Sequence, residues 1–419
     1  MNYNKLSGGN ITIKSMKEGH FMISVGIDVS KGKSTVCIMK PCGEILKPPF
    51  EINHTADELD SLVSLINSYD EETRVVLEDT GHYHLPVSTY LASHGIFVCC
   101  VNALRMKKFC SQSIRRAKTD KIDSVKIAAF GITYWNELTE VYSSDVTYDE
   151  LKFLARQYYQ ITSMLVKAKV NLSNLLDQTM PKIQTLLQNI NDNHKLTEFV
   201  KRYIHYSGIL DMGKAEFVYD YCKWAKEKGY RSNSDKAKQI FALAKNSIPT
   251  LPNSQSVKIA VSETVNMIHS IEESRNTILA QMQELCNTLP EYSAVKSMNC
   301  IGDTLAPRII AEIGDVRRFK NKHSLIAYAG IDAPPYQSGT FNASERHISK
   351  RGNSYLRKTG YEIMQSLIKH KPENDVVYSF IQKKRSEGKA CNEAMIAGLN
   401  KFLRIYYGMV MEIYFSETS

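Results

Sequence analysis

The hydrophobic and polar positions divide the chain into an alternating part and a helical part. Ile23–Val29, Thr35–Lys40 and Glu44–Phe50 are short apolar runs separated by Gly-containing turns, which predicts three strands. Leu59, Leu62, Val63 and Ile66 then recur at helical spacing. Arg74–Glu78 predicts a fourth strand, Leu85–Ala92 a helix and Ile96–Val101 a fifth strand. Three meandering strands followed by helix-strand units is the order of an α/β RNase H-like domain, expected over residues 22–147.

Beyond about residue 145 no further strand pattern appears. Leu151, Leu154, Tyr158, Ile161, Leu165, Ala168, Leu172 and Leu175 step by three and four, and a second such run extends from Val257 to Leu289. Thr264 and Arg275 are the polar members of that second run, positions that set register at a cost in stability. The two runs predict an antiparallel coiled-coil arm, residues 148–182 and 255–289, with a helical bundle core as the plainer alternative. Between them, 183–254 reads as an insert of three short helices bracketed by Pro181, Pro249 and Pro252. Residues 290–419 form a mainly α C-terminal domain. Within it, Ser297–Asp303 lies between two helical patterns and resembles a helix-hairpin-helix turn, whose free backbone N–H groups meet phosphate.

Charge changes this picture only locally. The net charge of +9 is a mild excess. Between Arg105 and Lys126, however, eight Lys or Arg face two acids, and Arg346–Lys358 holds five basic residues and no acid. A solvated face explains such runs as readily as a polyanionic partner does. The nine cysteines include no C-x-x-C pair, so the chain reads as reduced and intracellular. Residues 1–21 read as a polar leader, and no apolar run is long enough to span a membrane.

Four acids carry the candidate chemistry. Asp28 closes one apolar strand and Glu78 another, while Asp120 and Asp123 are three apart at a helix start and so share a face. If the first and fourth strands are neighbours, all four converge. A cluster of four carboxylates needs cations between its members, and two Mg²⁺ ions would make a two-metal site for phosphodiester chemistry. Each acid also has a plainer role: Asp after a strand is a common turn residue, and Asp120 suits a helix N-cap.

The frames G-I-D-V-S-K, L-E-D-T-G and K-T-D-K-I-D around these acids resemble the DEDD transposases of insertion sequences and the related Piv-type recombinases. The resemblance continues through Ile301-Gly302-Asp303, Phe319–Gly330, Gln337-Ser338-Gly339 and Lys350-Arg351-Gly352-Asn353. It implies a RuvC-like domain joined by a coiled coil to a serine transposase domain. In that family the carboxylates with Mg²⁺ work with a serine, Ser338 by motif, that becomes covalently linked to DNA. It further implies excision and integration of an insertion sequence by homodimers or homotetramers acting on element ends and target DNA. Some members are guided by a structured RNA from their own element.

Ser338 alone, in the breaker-rich Pro334–Gly339 stretch, reads as a turn residue as readily as a nucleophile. Arg115, Arg116, Lys118, Gly302, Arg346, Lys350, Arg351 and Arg357 are the candidate nucleic-acid contacts, and Tyr336 and Tyr355 are candidate stacking platforms. The sequence departs from the family in the Cys300 that replaces the first Gly of the hairpin, in the length of the insert and in the leader. Other readings are a RuvC-like endonuclease using activated water, an actin-like ATPase and a helical scaffold. The second lacks its mid-chain Gly-rich loops, and the third would tolerate loss of Glu78 and Asp123.

Overall fold

The computed structural model describes residues 22–79, 81–111, 119–141, 145–187, 194–334, 337–338, 341–342 and 347–417. They form two compact units, dividing between Ser143 and Ser144.

The first unit is a five-stranded sheet flanked by helices. Its strands are β1 (Met22–Val29), β2 (Lys33–Met39), β3 (Ile45–Asn53), β4 (Glu72–Asp79) and β5 (Val98–Asn102), ordered β3-β2-β1-β4-β5. The β1–β2 and β2–β3 pairs are antiparallel, whereas β1–β4 and β4–β5 are parallel. This is the RNase H-like strand order expected from the pattern. The central strands are covered on both faces, which explains why Ile23–Ile27 and Val75–Leu77 are continuous buried runs. The edge strand β3 carries Pro48 and Pro49, which cannot donate to a further strand.

Alternation splits each strand between two cores. Ile23, Val25, Ile27, Val75, Leu77 and Val98 pack with α1 (Ala56–Asn67) and α2 (Leu85–Ser93). On the other face, Val76, Cys99 and Val101 pack with α3 (Ala103–Cys110) and α4 (Asp120–Thr133).

The second unit is almost wholly helical. The heptad runs form α5 (Val146–Thr179) and, after the insert, α11 (Gln255–Cys286). These two helices pack antiparallel: Lys169 meets Glu272 and Asn171 meets Thr264. The insert holds five helices among the described residues, not three: α6 (Ile183–Leu187), α7 (Lys195–Tyr203), α8 (Tyr206–Asp211), α9 (Lys214–Glu227) and α10 (Ser234–Asn246). The missed breaks are at Ile204 and Gly213, both at positive φ, and no cluster of breaker residues marks Ile204 in the sequence. The insert helices share a core with the adjoining parts of α5 and α11, including Leu165, Leu172, Val261 and Ile268.

The remaining helices are α12 (Tyr292–Ser297), α13 (Leu305–Ile313), α14 (Lys322–Ala329), α15 (Ser354–His370), α16 (Val376–Ser386) and α17 (Cys391–Glu417). They pack on the other ends of α5 and α11 through Leu151, Ala155, Met282 and Cys286. A two-residue ladder, β6 (Gln337–Ser338) with β7 (Phe341–Asn342), completes the unit. Among the described residues no helix is long and apolar enough to cross a membrane.

Candidate active site

Parallel pairing of β1 with β4 sets Ile27 opposite Leu77, so Asp28 and Glu78 follow at matching positions on neighbouring strands. Adjacent strands lie roughly 4.8 Å apart, and side chains at matching positions leave the same face. That face also receives Ser24, Gly26 and Val76, and it is the one α4 covers.

α4 lies unusually close to the sheet. A Cβ on Gly26 would sit 2.2 Å from the Ala128 amide nitrogen and 2.4 Å from the Ser124 carbonyl oxygen. One on Gly131 would lie 2.1 Å from Ser24 Oγ and 2.9 Å from the Val76 side chain. Two glycines, one on each element, therefore let helix and strand backbones meet. Because residue 128 lies over residue 26 and residue 131 over residue 24, α4 runs against β1. Its first turn, with Asp120 and Asp123, accordingly reaches toward the Asp28 end.

All four acids thus occupy one end and one face of the sheet. Asp28, Glu78 and Asp123 are half-buried, whereas Asp120 is exposed. The Cys110 thiol at the end of α3 registers the convergence: burial raises its pKa, Lys126 lowers it, and both Asp123 and Glu78 raise it further. Lys126 Nζ lies 3.3 Å from Asp123 Oδ1, one helical turn on. Thr119, not Asp120, caps α4, its Oγ1 accepting from the Ile122 N–H at 3.3 Å. The plainer role weighed for Asp120 is therefore already filled.

All four donors are carboxylate oxygens, the set a hard divalent cation takes. Among the described residues no three His, Cys, Asp or Glu side chains close on a common point tightly enough to hold an ion. The backbone brings the acids to one end and one face of the sheet. Sequence reading missed Gly26, Gly131 and Lys126. A glycine inside an apolar strand is the signal for close backbone approach, and Lys126 is three residues from Asp123.

In the second unit, Ser338 pairs through its backbone with Phe341 on the short ladder. Its side chain lies outside the described residues, as do Arg115, Arg116, Lys118, Tyr336 and Arg346. The Ser349–Asn353 stretch is a built turn. Lys350 is left-handed (φ 53°) and donates its N–H to the Gly330 carbonyl, and a Cβ on Gly352 would strike the Tyr328 carbonyl oxygen at 2.1 Å. Asn353 caps α15 through its Oδ1, while its Nδ2 donates to Glu312 Oε2 at 2.8 Å. The turn leaves Lys350 and Arg351 exposed. Arg357 is half-buried, and its Nη1 donates to the carbonyls of Ala329 and Gly352. Tyr355 lies under the Arg156 guanidinium, 3.6 Å from its ring centre.

Between α12 and α13 the chain turns at Cys300, whose φ of 62° is the conformation a glycine would take freely. Gly302 is exposed, with open space where a Cβ would be.

Residues 25–181 match a family model described as a transposase of the DEDD IS110 type, and residues 292–379 match one described as the IS116/IS110/IS902 transposase family. An uncharacterized protein of insertion element IS116 from Streptomyces clavuligerus is 22% identical over 95% of this chain and 96% of its own. One of insertion element IS110 from Streptomyces coelicolor is 21% identical, covering 77% and 78%. The pilin gene-inverting protein of Moraxella bovis is 26% identical over 32% of this chain and 42% of its own. T. thermophilus RuvC, solved with a Holliday junction substrate, superposes on 29% of this chain and 99% of its own at 10% identity. Its TM-score of 0.22 is too low to add to the strand order.

Proposed function

We propose, from the premise that this chain belongs to the IS116/IS110/IS902 family of transposases, that Asp28, Glu78, Asp120 and Asp123 form one Mg²⁺ site and Ser338 is the nucleophile. Family membership makes the chain a DNA-acting transposase. The finer chemistry is our reading, and one observation carries it: four acids from two strand ends and one helix start share an end and a face of the sheet.

Like charges so arranged are stable together only with cations between them. Bound there, Mg²⁺ supplies charge stabilisation at the phosphoryl oxygens. The chain's own residues position it: Asp28 and Glu78 are fixed by the central strands, and Asp120 and Asp123 by the close approach of α4 to β1 at Gly26 and Gly131. Lys126 holds Asp123 at the same place.

In the second unit, Ser338 Oγ attacks phosphorus, and an Oγ–P bond replaces the P–O bond to the departing strand. The departing oxygen takes up a proton as the hydroxyl gives one up. One phosphodiester is exchanged for another, so rejoining the strands needs no separate energy source. Lys350 and Arg351 are displayed on their anchored turn to hold phosphate, with Arg115, Arg116, Lys118, Gly302, Arg346 and Arg357 in the same role. Arg357 has the least to give, because part of its guanidinium already binds backbone.

The test is a denaturing gel of full-length protein incubated with its own element's DNA ends and Mg²⁺, with and without co-expressed element RNA. A covalent protein–DNA adduct is expected, reduced at least about a thousandfold in Ser338→Ala and in Glu78→Ala. Cleavage without an adduct, indifferent to Ser338→Ala, replaces this reading with an endonuclease that uses water.

A further inference from the structure

The C-terminal unit contains a groove of about 1260 Å³ between α14, the residues from His347 to Lys350, and α17. That exceeds the roughly 300–1,000 Å³ of an ordinary small-molecule pocket. Lys322, Lys350, Lys389, Lys401 and Arg404 line it, against Glu393 as the single lining acid among the described residues. Lys401 and Arg404 are three residues apart on α17 and so share a face. None of the five forms a salt bridge with a carboxylate among the described residues, and Lys389 acts on Glu387 only at longer range. Some exposed cations of this unit are paired, as in Arg317 with Asp315 and Lys384 with Glu387. Five cations around one groove outnumber its acid and repel one another, and a polyanion lowers that cost.

The floor is of another kind. Ile331, Ile348, Ile396 and Ile405 line it, and the Phe380 ring lies 4.7 Å from Lys401 Nζ. A duplex keeps its base faces stacked inside and offers a surface phosphate, sugar and base edges. An unpaired strand offers phosphates to the basic rim and base faces to the apolar and aromatic floor. We infer that this groove binds an unpaired nucleic-acid strand, of DNA or RNA, held along its backbone by these cations. The inference rests on the transposase reading and adds a site to it, since three of the five cations, Lys389, Lys401 and Arg404, lie outside the motifs that carry the family resemblance.

The test measures fluorescence anisotropy of full-length protein with labelled oligo-dT and oligo-U of about twenty nucleotides, and with a duplex of equal length, across a salt series. Lys401→Glu combined with Arg404→Glu should weaken strand binding at least about tenfold and flatten the log–log salt slope by about 1.4, two contacts at about 0.7 each. Phe380→Ala should weaken strand binding about fivefold without changing the slope. Duplex affinity should move less than about twofold. Lys401→Arg combined with Arg404→Lys keeps both charges and should bind as wild type, which separates charge from folding. Whichever oligonucleotide binds more tightly identifies the natural strand.

Wild-type slope in the charge-reversed protein, equal loss for duplex, equal displacement by a polyglutamate peptide, or no strand binding by wild type each overturns the assignment. None of these outcomes touches the adduct assay. Loss of the adduct in wild type would instead remove the transposase chemistry and leave strand affinity where it stands.

Discussion

Glu78 and Asp79 are adjacent acids at the end of β4, and the pleat sends them to opposite faces. Asp79 lies 3.8 Å from His84 at the foot of α2 and acts on the half-buried Cys100 thiol, whose pKa desolvation, with Cys99 and Asp79, pushes up to about 12. Glu78 instead shares its face with Asp28 and α4. Parity, readable from the sequence once the strand is placed, therefore selects Glu78 over Asp79. Cys300 is a second residue-scale case. A left-handed non-glycine costs about 1–2 kcal/mol, so Cys300→Gly should be more stable than Cys300→Ala by about 1 kcal/mol in denaturant midpoints. Equal midpoints would remove the strain argument. Asn353 has two roles, as cap and as donor to Glu312. Asp, ordinarily as good a cap as Asn, should here destabilise by at least about 2 kcal/mol, because it sets a carboxylate against Glu312 Oε2.

At the scale of elements, the α4–β1 crossing decides where Asp120 and Asp123 arrive. Gly26→Ala forces a Cβ into the Ala128 backbone, which cannot rotate away. It should cost about 3 kcal/mol, lower the melting temperature of the first unit by about 10 °C, and reduce adduct formation even where the protein remains folded. A variant that melts and reacts as wild type would show that the close approach positions nothing. The strands of this unit were legible because burial on both faces gives continuous apolar runs with breakers between them. Asp28 and Glu78 were legible as acids ending such runs, and Asp120 and Asp123 as acids three apart at a helix start. The crossing itself was not, since a glycine in a strand names no partner. The insert was misjudged because its breaks, at Ile204 most clearly, are imposed by tertiary packing around Phe199, Phe217 and Trp224 rather than by turn residues. Ser338 was legible only by resemblance, and Thr119 took the cap that had been weighed for Asp120.

For the whole molecule, the second unit carries a buried charge that ties stability to pH. Glu312 is buried between Arg156 and Asn353, and burial outweighs both in raising its pKa above the usual 4.5. A raised folded-state pKa means its stabilisation is complete below the unfolded value and is lost as pH rises through the folded one. Glu312→Gln should therefore gain stability on wild type as pH climbs from about 4.5, with the gain levelling off above the folded pKa. Thermal melts of the pair across pH check this, and parallel curves would contradict it. Carboxylates held below their usual range, such as Asp220 beside Arg202 and Tyr203, work the other way and lose stability on acidification, so the difference between the two proteins is the quantity to follow.

The central claim is that the four acids constitute one divalent-cation site, and it can be tested without knowing any DNA sequence. Mn²⁺ titrated into full-length protein and followed by electron paramagnetic resonance should show tight sites that Asp28→Asn and Glu78→Gln each abolish, while Asp79→Asn leaves them intact. Equal binding by wild type and Asp28→Asn, or loss in Asp79→Asn alone, would contradict it.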